Sequence, residues 1–112
     1  MEPQDDADIQ SAFALFSSVG ECGKVKSYMQ TMYRSQYVRN TPMGRPGDLH
    51  WSEAEGSTSP NWRASIHIDM ALERQYGLKE LANTLAHEGH HGFYNDSSDT
   101  AAGSFAALCV PQ

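Results

Sequence analysis

The feature that most constrains this chain is the segment HEGHH at residues 87–91. It places His87 and His91 four residues apart with Glu88 directly after the first, which is the spacing HExxH. On an α-helix, residues four apart lie about 40° apart around the axis, so the two imidazoles can reach one metal ion. Glu88 lies about 100° round from His87, close enough to act on a metal-bound water without being a ligand. The spacing therefore predicts a helical metal site beside a carboxylate base.

The residues around the motif predict an amphipathic helix over 78–93. The side opposite His87 carries apolar residues and glycines, namely Leu78, Leu81, Ala82, Leu85, Gly89 and Gly92. The histidine side is polar, so we expect this helix to form the floor of a cleft; a surface helix with a histidine-rich polar face is the alternative. Gly89 costs about 1 kcal/mol relative to alanine in a helix interior, so we expect another element to pack closely there.

A catalytic zinc takes three protein ligands, so the motif needs a partner. Asp99 is the first choice, because a tight turn at 94–98 can fold the last helix back towards His87 and His91. Asp96 is the alternative, although it leaves less chain for the reversal. Either aspartate could instead cap a helix or stabilise a turn. The predicted cofactor is Zn²⁺ on His87, His91 and Asp99.

Further polar residues could support such a site. His67 and Asp69 lie on the polar side of a predicted strand, where they either orient ligands or face solvent. His50 could donate a hydrogen bond to a transition state if its loop covers the cleft, and otherwise is exposed. Tyr94 is another candidate donor, with core packing as the alternative. His90 points about 60° to the other side of His87, so we expect it either at the rim of the cleft or supporting a ligand.

Length and charge restrict the classes of function. A chain of 112 residues corresponds to one domain, 1–112, and 39% hydrophobic with 20% charged residues is ordinary for a globular protein. The net charge of −6 and the scattered Lys and Arg argue against a nucleic-acid partner. No apolar run approaches membrane-spanning length, and the acidic, polar N-terminus predicts no signal peptide in the sequence as given.

The two cysteines, Cys22 and Cys109, are far apart and in no CxxC pattern. They are either bonded or two unconnected thiols, one of them buried. A bond would close a loop of nearly the whole domain, worth about 4 to 5 kcal/mol in the loop-entropy picture. It would also favour an oxidising compartment, and so a secreted or exported protein.

Periodicity and composition predict the remaining elements. Three further helices are predicted over residues 7–19 (capped by Asp5 or Asp6), 24–37 and 100–108. Residues 40–61 are dense in Pro, Gly, Ser and acids and predict a long loop. Residues 63–70 alternate between apolar and polar, which predicts a half-buried strand, and 71–77 turn the chain into the motif helix. The predicted fold class is a helix-rich α+β domain.

An alternating strand (ASIHIDMAL), a short connection and then LANTLAHEGHHG resemble the active-site segment of zincin-type metallopeptidases. The resemblance covers residues 63–99, about a third of the chain. It implies that His87 and His91 ligate zinc, that Glu88 is the general base and acid, and that the strand edges the cleft and pairs with extended substrate. It also implies a small zincin-like fold with the active-site helix beneath a short sheet or edge strand. No family within the superfamily is identified, because the metzincin extension, a downstream Glu and the GTxDxxYG motif are all absent.

The expected function is zinc-dependent hydrolysis of a peptide or protein substrate by a metalloendopeptidase, with Trp51 and His50 of the 40–61 loop shaping side-chain pockets. A zinc-binding module that no longer cleaves and acts through protein–protein interaction is the main alternative. A cell-wall peptide amidase or toxin-like effector is a third.

Overall fold

The computed structural model describes the backbone of residues 1–45, 47–53 and 62–111, and the side chains of 1–45 and 65–111. Within these residues the elements follow in the order α1 (Pro3–Ala14), α2 (Gly20–Arg34), β1 (Val38–Asn40), β2 (Gly47–Glu53), β3 (Trp62–Ile68), α3 (Met70–Tyr76), α4 (Leu78–Tyr94) and α5 (Asp99–Cys109). This is a small helix-rich α+β fold, which confirms the predicted fold class.

The motif helix α4 is the central element of the fold. It packs against α1, α2, α3, α5 and β2. Its apolar side is buried as predicted at Leu81, Ala82, Leu85 and Gly89, whereas Leu78, predicted on the same side, is 42% exposed. The prediction that its opposite side lines an open cleft is wrong for Thr84 and His91, which are only 5% and 8% exposed. Glu88, about 100° round from His87, is also buried, at 7%. Amphipathic periodicity identifies one buried side, but here neighbouring elements cover the helix on several sides.

Helices α2 and α4 approach each other closely at Gly89. A Cβ at this position would lie 2.6 Å from Met29 Cγ and 2.7 Å from Val25 Cγ1, which is closer than packed carbon atoms allow. The expectation that another element packs against this glycine is confirmed. The absence of a side chain at Gly89 thus fixes how near α2 lies to the motif.

The described strands form a sheet in the order β1-β3-β2. β3 is antiparallel to β2, from Gly47↔Ile68 to Glu53↔Trp62, and parallel to β1 over its last three residues. Ile66 and Ile68 are fully buried, so the predicted alternation is correct. Of the predicted alternatives, a short sheet or an edge strand, the described strands form a short sheet, in which β3 is central and β1 and β2 are the edges.

Two predicted irregular segments contain regular structure. Part of the predicted 40–61 loop is the strand β2, since pairing with β3 outweighs its turn-rich composition. Part of the predicted 71–77 connection is α3, which begins because the Asp69 carboxylate accepts a hydrogen bond from the Leu72 N–H. α3 ends at Gly77, whose φ of +96° favours glycine.

The N-terminal helices begin about four residues earlier than predicted. α1 starts at Pro3, a residue well suited to a first helical turn because its missing N–H needs no partner there. Asp5 and Asp6 therefore lie within the first turn and do not cap the helix. α5 begins within one residue of its predicted start, with Ser98 as its cap.

Cys22 and Cys109 form a disulfide, with their Cα atoms 5.5 Å apart. The bond joins the first turn of α2 to the end of α5. Nearby, the Ser17 N–H donates to the Cys109 carbonyl oxygen at 2.8 Å. Among the described helices, none has the length and apolar character needed to cross a membrane.

Candidate metal centre

The structure brings His87, His91 and Asp99 together between α4 and the start of α5. His87 Nε2 lies 3.2 Å and His91 Nε2 3.0 Å from the same oxygen, Asp99 Oδ1. One potential ligand atom from each residue lies within 4.8 Å of the other two. The two imidazole rings have centroids 4.8 Å apart and planes at 76°, so they approach a shared position from different directions.

A short turn after α4 places Asp99. Asn95 ends the helix in the left-handed conformation, with φ +51° and ψ +47°, and reverses the chain. The Asp96 carboxylate accepts from the Ser98 N–H at 2.9 Å, and Ser98 Oγ then accepts from the Ala101 N–H at 3.1 Å. Asp99 follows as the first residue of α5. The side chain of Asp96, the alternative ligand, thus stabilises the turn. Its backbone carbonyl contacts His91.

That carbonyl orients His91. His91 Nδ1 lies 2.6 Å from the Asp96 carbonyl oxygen, which can only accept, so Nδ1 carries the proton. Nε2 is then directed towards Asp99 and His87. A backbone or carboxylate acceptor on the far nitrogen is what orients most metal-ligating histidines.

The centre opens to solvent on the side of Asp99. The Asp99 side chain is 87% exposed, whereas those of His87 and His91 are 25% and 11% exposed. Its side-chain contacts with His87, and then with His91, hold the pKa of Asp99 below its usual value. The carboxylate is thus ionised and accessible, while the imidazoles are held by the protein.

Glu88 follows His87 on α4 and lies outside the group of three potential ligand residues. It is 7% exposed. The predicted base is therefore a buried residue of the motif helix and not part of an open surface.

Asp69 and His67 have structural contacts away from the centre. Asp69 accepts hydrogen bonds from the N–H groups of Met43, Gly44 and Leu72, and these bonds lower its pKa, with that of Met43 contributing most. His67 Nδ1 lies 2.8 Å from Thr41 Oγ1. Both residues help hold the segment after β1 against β3 and α3.

Tyr94 and His90 also differ from their expected roles. The Tyr94 hydroxyl donates to the Glu21 carboxylate on α2, a bond that raises the pKa of Tyr94 to about 12. His90 lies between the rings of Tyr94 and Phe105, with centroids 4.9 and 5.0 Å away, and burial lowers its pKa. Its Nδ1 is buried without a hydrogen-bond partner among the described residues. Both residues join α4 to its neighbours. The side chains of His50 and Trp51, on β2, lie outside the described side chains.

The sequence interpretation missed a buried polar contact on the motif helix. Thr84 Oγ1 donates to Glu73 Oε1 at 2.7 Å, which joins α4 to α3. Glu73 is 1% exposed, and burial raises its pKa to about 7. The sequence did carry a signal for α3, because Asp69 followed by MALERQ is typical of a capped helix. A helix that begins there places Glu73 one turn after its cap.

Comparisons of the chain with protein-family models, with curated proteins and with solved structures found no match.

Proposed function

We propose that this protein is a zinc-dependent metallopeptidase of the zincin type. One observation carries the proposal: His87 and His91 of an HExxH helix converge with Asp99, a residue from a different element. A helix with a histidine-rich surface would give the two imidazoles but has no need of a turn that returns a carboxylate to them.

The donor set is suited to catalytic zinc. Two imidazoles and one carboxylate provide three protein ligands, and catalytic zinc sites keep the fourth position for water or substrate. The exposure of Asp99 leaves room for that position on the solvent side. Zinc held by these residues would supply Lewis acidity and lower the pKa of a bound water to about 7.

The other steps of the proposed reaction are assigned to residues of the chain. The Asp96 carbonyl keeps Nε2 of His91 free for the ion. Glu88 accepts the proton of the attacking water and passes it to the leaving amine. Because β3 is a central strand, we assign pairing with an extended substrate to β2, the edge strand that packs against α4.

The test combines metal content with hydrolysis of a broad peptide library. After dialysis the protein should retain one zinc ion per chain, and the Asp99→Ala variant should retain none. Glu88→Gln should keep the zinc and lose about 10²- to 10⁴-fold in hydrolysis rate, the usual contribution of a general base. Glu80→Gln, on the same helix but in the first turn, is the matched control and should cleave normally. Full activity in Glu88→Gln would refute the mechanism.

A zinc-binding module that acts through a partner protein is the second candidate, and the burial of Glu88 favours it. The same measurements separate the two functions. Zinc without cleavage of the library, including peptides of the cell-wall type, would support the binding module. If the protein binds no zinc, both candidate functions are excluded.

A further inference from the structure

A small cavity lies between α1, α3 and α4, and its lining shares no residue with the metal centre. Its volume is about 130 Å³, and it is lined by Asp8, Met70, Glu73, Arg74, Gly77, Leu78 and Leu81. A water molecule occupies roughly 30 Å³ of liquid, so the space admits a group of a few heavy atoms. Leu78 is 42% exposed, which indicates that the cavity is reached from solvent.

Glu73, one of the lining residues, carries an unpaired acceptor. Its side chain is almost fully buried, and its Oε1 is occupied by the Thr84 hydroxyl. Its Oε2 is buried and has no hydrogen-bond partner in the described part of the chain. Burying a carboxylate oxygen without a donor is unfavourable, so the Glu73 carboxylate would be stabilised by turning towards a donor group that enters the cavity.

The cavity has one cationic side chain, and that side chain is already paired. Arg74 Nη2 lies 2.6 Å from Asp5 Oδ1 and 3.1 Å from Asp8 Oδ2, both on α1. Two carboxylates thus more than neutralise the guanidinium. Arg74 therefore does not make the cavity a site for anions.

The other charged groups that act on Glu73 are also acidic. Glu80 on α4 and Asp69 at the start of α3 both raise the pKa of Glu73, in addition to the larger effect of burial. The surroundings of Oε2 therefore favour a cation. The remaining lining, Met70, Leu78 and Leu81, is apolar and suits a short aliphatic chain.

We propose that this cavity binds a primary alkylammonium group, with its nitrogen donating to Glu73 Oε2 and its methylenes against Met70, Leu78 and Leu81. An ammonium offers three donors on a compact head, and an aliphatic stem of three or four carbons fits the volume. A free amine and the lysine side chain of another protein share this chemistry. The proposal is independent of the metal centre.

The first experiment compares three molecules of one shape by amide chemical-shift titration of the intact protein. n-Butylammonium should give saturable shifts at Glu73, Arg74 and Leu81. n-Butanol tests the shape without the charge, and butyrate tests the opposite charge. Affinity for butanol or butyrate equal to that for butylammonium would overturn the proposal, as would the absence of saturable shifts.

The second experiment uses pH and a variant. Because the pKa of Glu73 is raised to about 7, the ionised fraction increases about tenfold from pH 6 to pH 8, and butylammonium affinity should increase by the same factor. The ligand stays protonated, since alkylammonium groups of the lysine type have a pKa near 10.4. Glu73→Gln should lose the preference over butanol. If that variant does not fold, the pH profile of the unaltered protein decides, and a flat profile contradicts the proposal.

The third experiment separates the two sources of the ammonium. Nα-acetyl-lysine methylamide carries the same head and stem on a peptide backbone. If it binds as butylammonium does, the cavity accepts a lysine of a partner; if butylammonium alone binds, the ligand is a free amine. His87→Ala should leave both affinities unchanged, so a failed metal centre would not be mistaken for a failed amine site.

Discussion

Gly89 is a residue whose missing side chain determines the packing of the motif helix. Alanine is favoured over glycine in an isolated helix by about 1 kcal/mol. At Gly89, however, an added Cβ would meet Met29 and Val25 at under 3 Å. Overpacking a filled core typically costs about 1 to 3 kcal/mol, so packing should outweigh helix propensity here.

We therefore expect Gly89→Ala to lower the free energy of unfolding by about 1 to 2 kcal/mol. Gly103→Ala is the matched control, because Gly103 lies within α5 and an added Cβ there meets no atom within 4 Å. It should leave stability unchanged or raise it by up to about 1 kcal/mol. Urea unfolding of the two variants checks this. Equal effects would show that α2 can move away from α4 at little cost.

Glu73 should make stability depend on pH. The pKa of Glu73 is about 7 in the folded protein, against 4.5 for an unperturbed glutamate. Between these values the folded state keeps a proton that the unfolded state releases, so the unfolded state binds fewer protons and stability falls as pH rises. The loss is complete above about pH 7 and amounts to at most roughly 3 kcal/mol.

Glu73→Gln should remove this part of the pH dependence, because its amide does not titrate. The measurement is urea unfolding at pH 5 and at pH 8. The change in the free energy of unfolding between the two pH values is compared in the unaltered protein and the variant, and the difference is the contribution of Glu73. Glu2→Gln, at the exposed N-terminus, should leave the pH dependence as it was. A Glu73→Gln variant that retained the full dependence would assign it to another group.

At the scale of elements, α4 and α5 could be predicted from sequence because each carries its own local signals. α4 has apolar residues at helical spacing over four turns, and α5 has Ser98 as a cap. Their predicted ends lie within a residue or two of the observed ends. Since both helices and the turn between them are short-range features, Asp99 could be chosen as the partner of the two histidines from sequence alone.

The elements that sequence missed depend on contacts distant in the chain. β1 has only three residues, too few to show an alternating pattern, and it exists through pairing with β3. β2 lies in a segment rich in turn residues and likewise depends on β3. The packing of five elements around α4 has no local signature either, so the burial of Glu88 and His91 could not be predicted.

The turn between α4 and α5 is the element that brings Asp99 to His87 and His91. Asn95 is left-handed there, a conformation that Asn and Gly tolerate and β-branched residues do not. Asn95→Val should disfavour the turn by about 1 to 2 kcal/mol and weaken zinc binding about tenfold, since Asp96 and Asp99 both follow it.

Asn95→Gly should bind zinc as the unaltered protein does, because glycine adopts the same conformation freely. Competition with a zinc-selective indicator dye measures both affinities. If Asn95→Val binds zinc normally, the position of Asp99 does not depend on this turn. The proposed centre would then need another explanation for its assembly.

At the scale of the whole molecule, α5 is held at both ends. Cys109 at its last residue is bonded to Cys22 across 87 residues, and Asp99 at its first residue faces the two histidines. Between them the helix buries Ala102 and Ala106, and Phe105 packs against the core while partly exposed. The disulfide constrains α5 in addition to this packing, and the proposed metal would be a second, separate constraint.

Replacing both cysteines by alanine should accordingly lower the free energy of unfolding by about 4 kcal/mol, because the unfolded chain is no longer cross-linked. Domains of this kind are stable by about 5 to 15 kcal/mol, so the variant should remain folded but marginal. Zinc at about 100 times its dissociation constant should restore about 2.7 kcal/mol, since it binds the folded state. Urea unfolding of the double variant with and without zinc measures both terms. Adding Asp99→Ala should abolish the recovery while leaving the cost of the lost disulfide, and a recovery that survived this change would place the ion elsewhere.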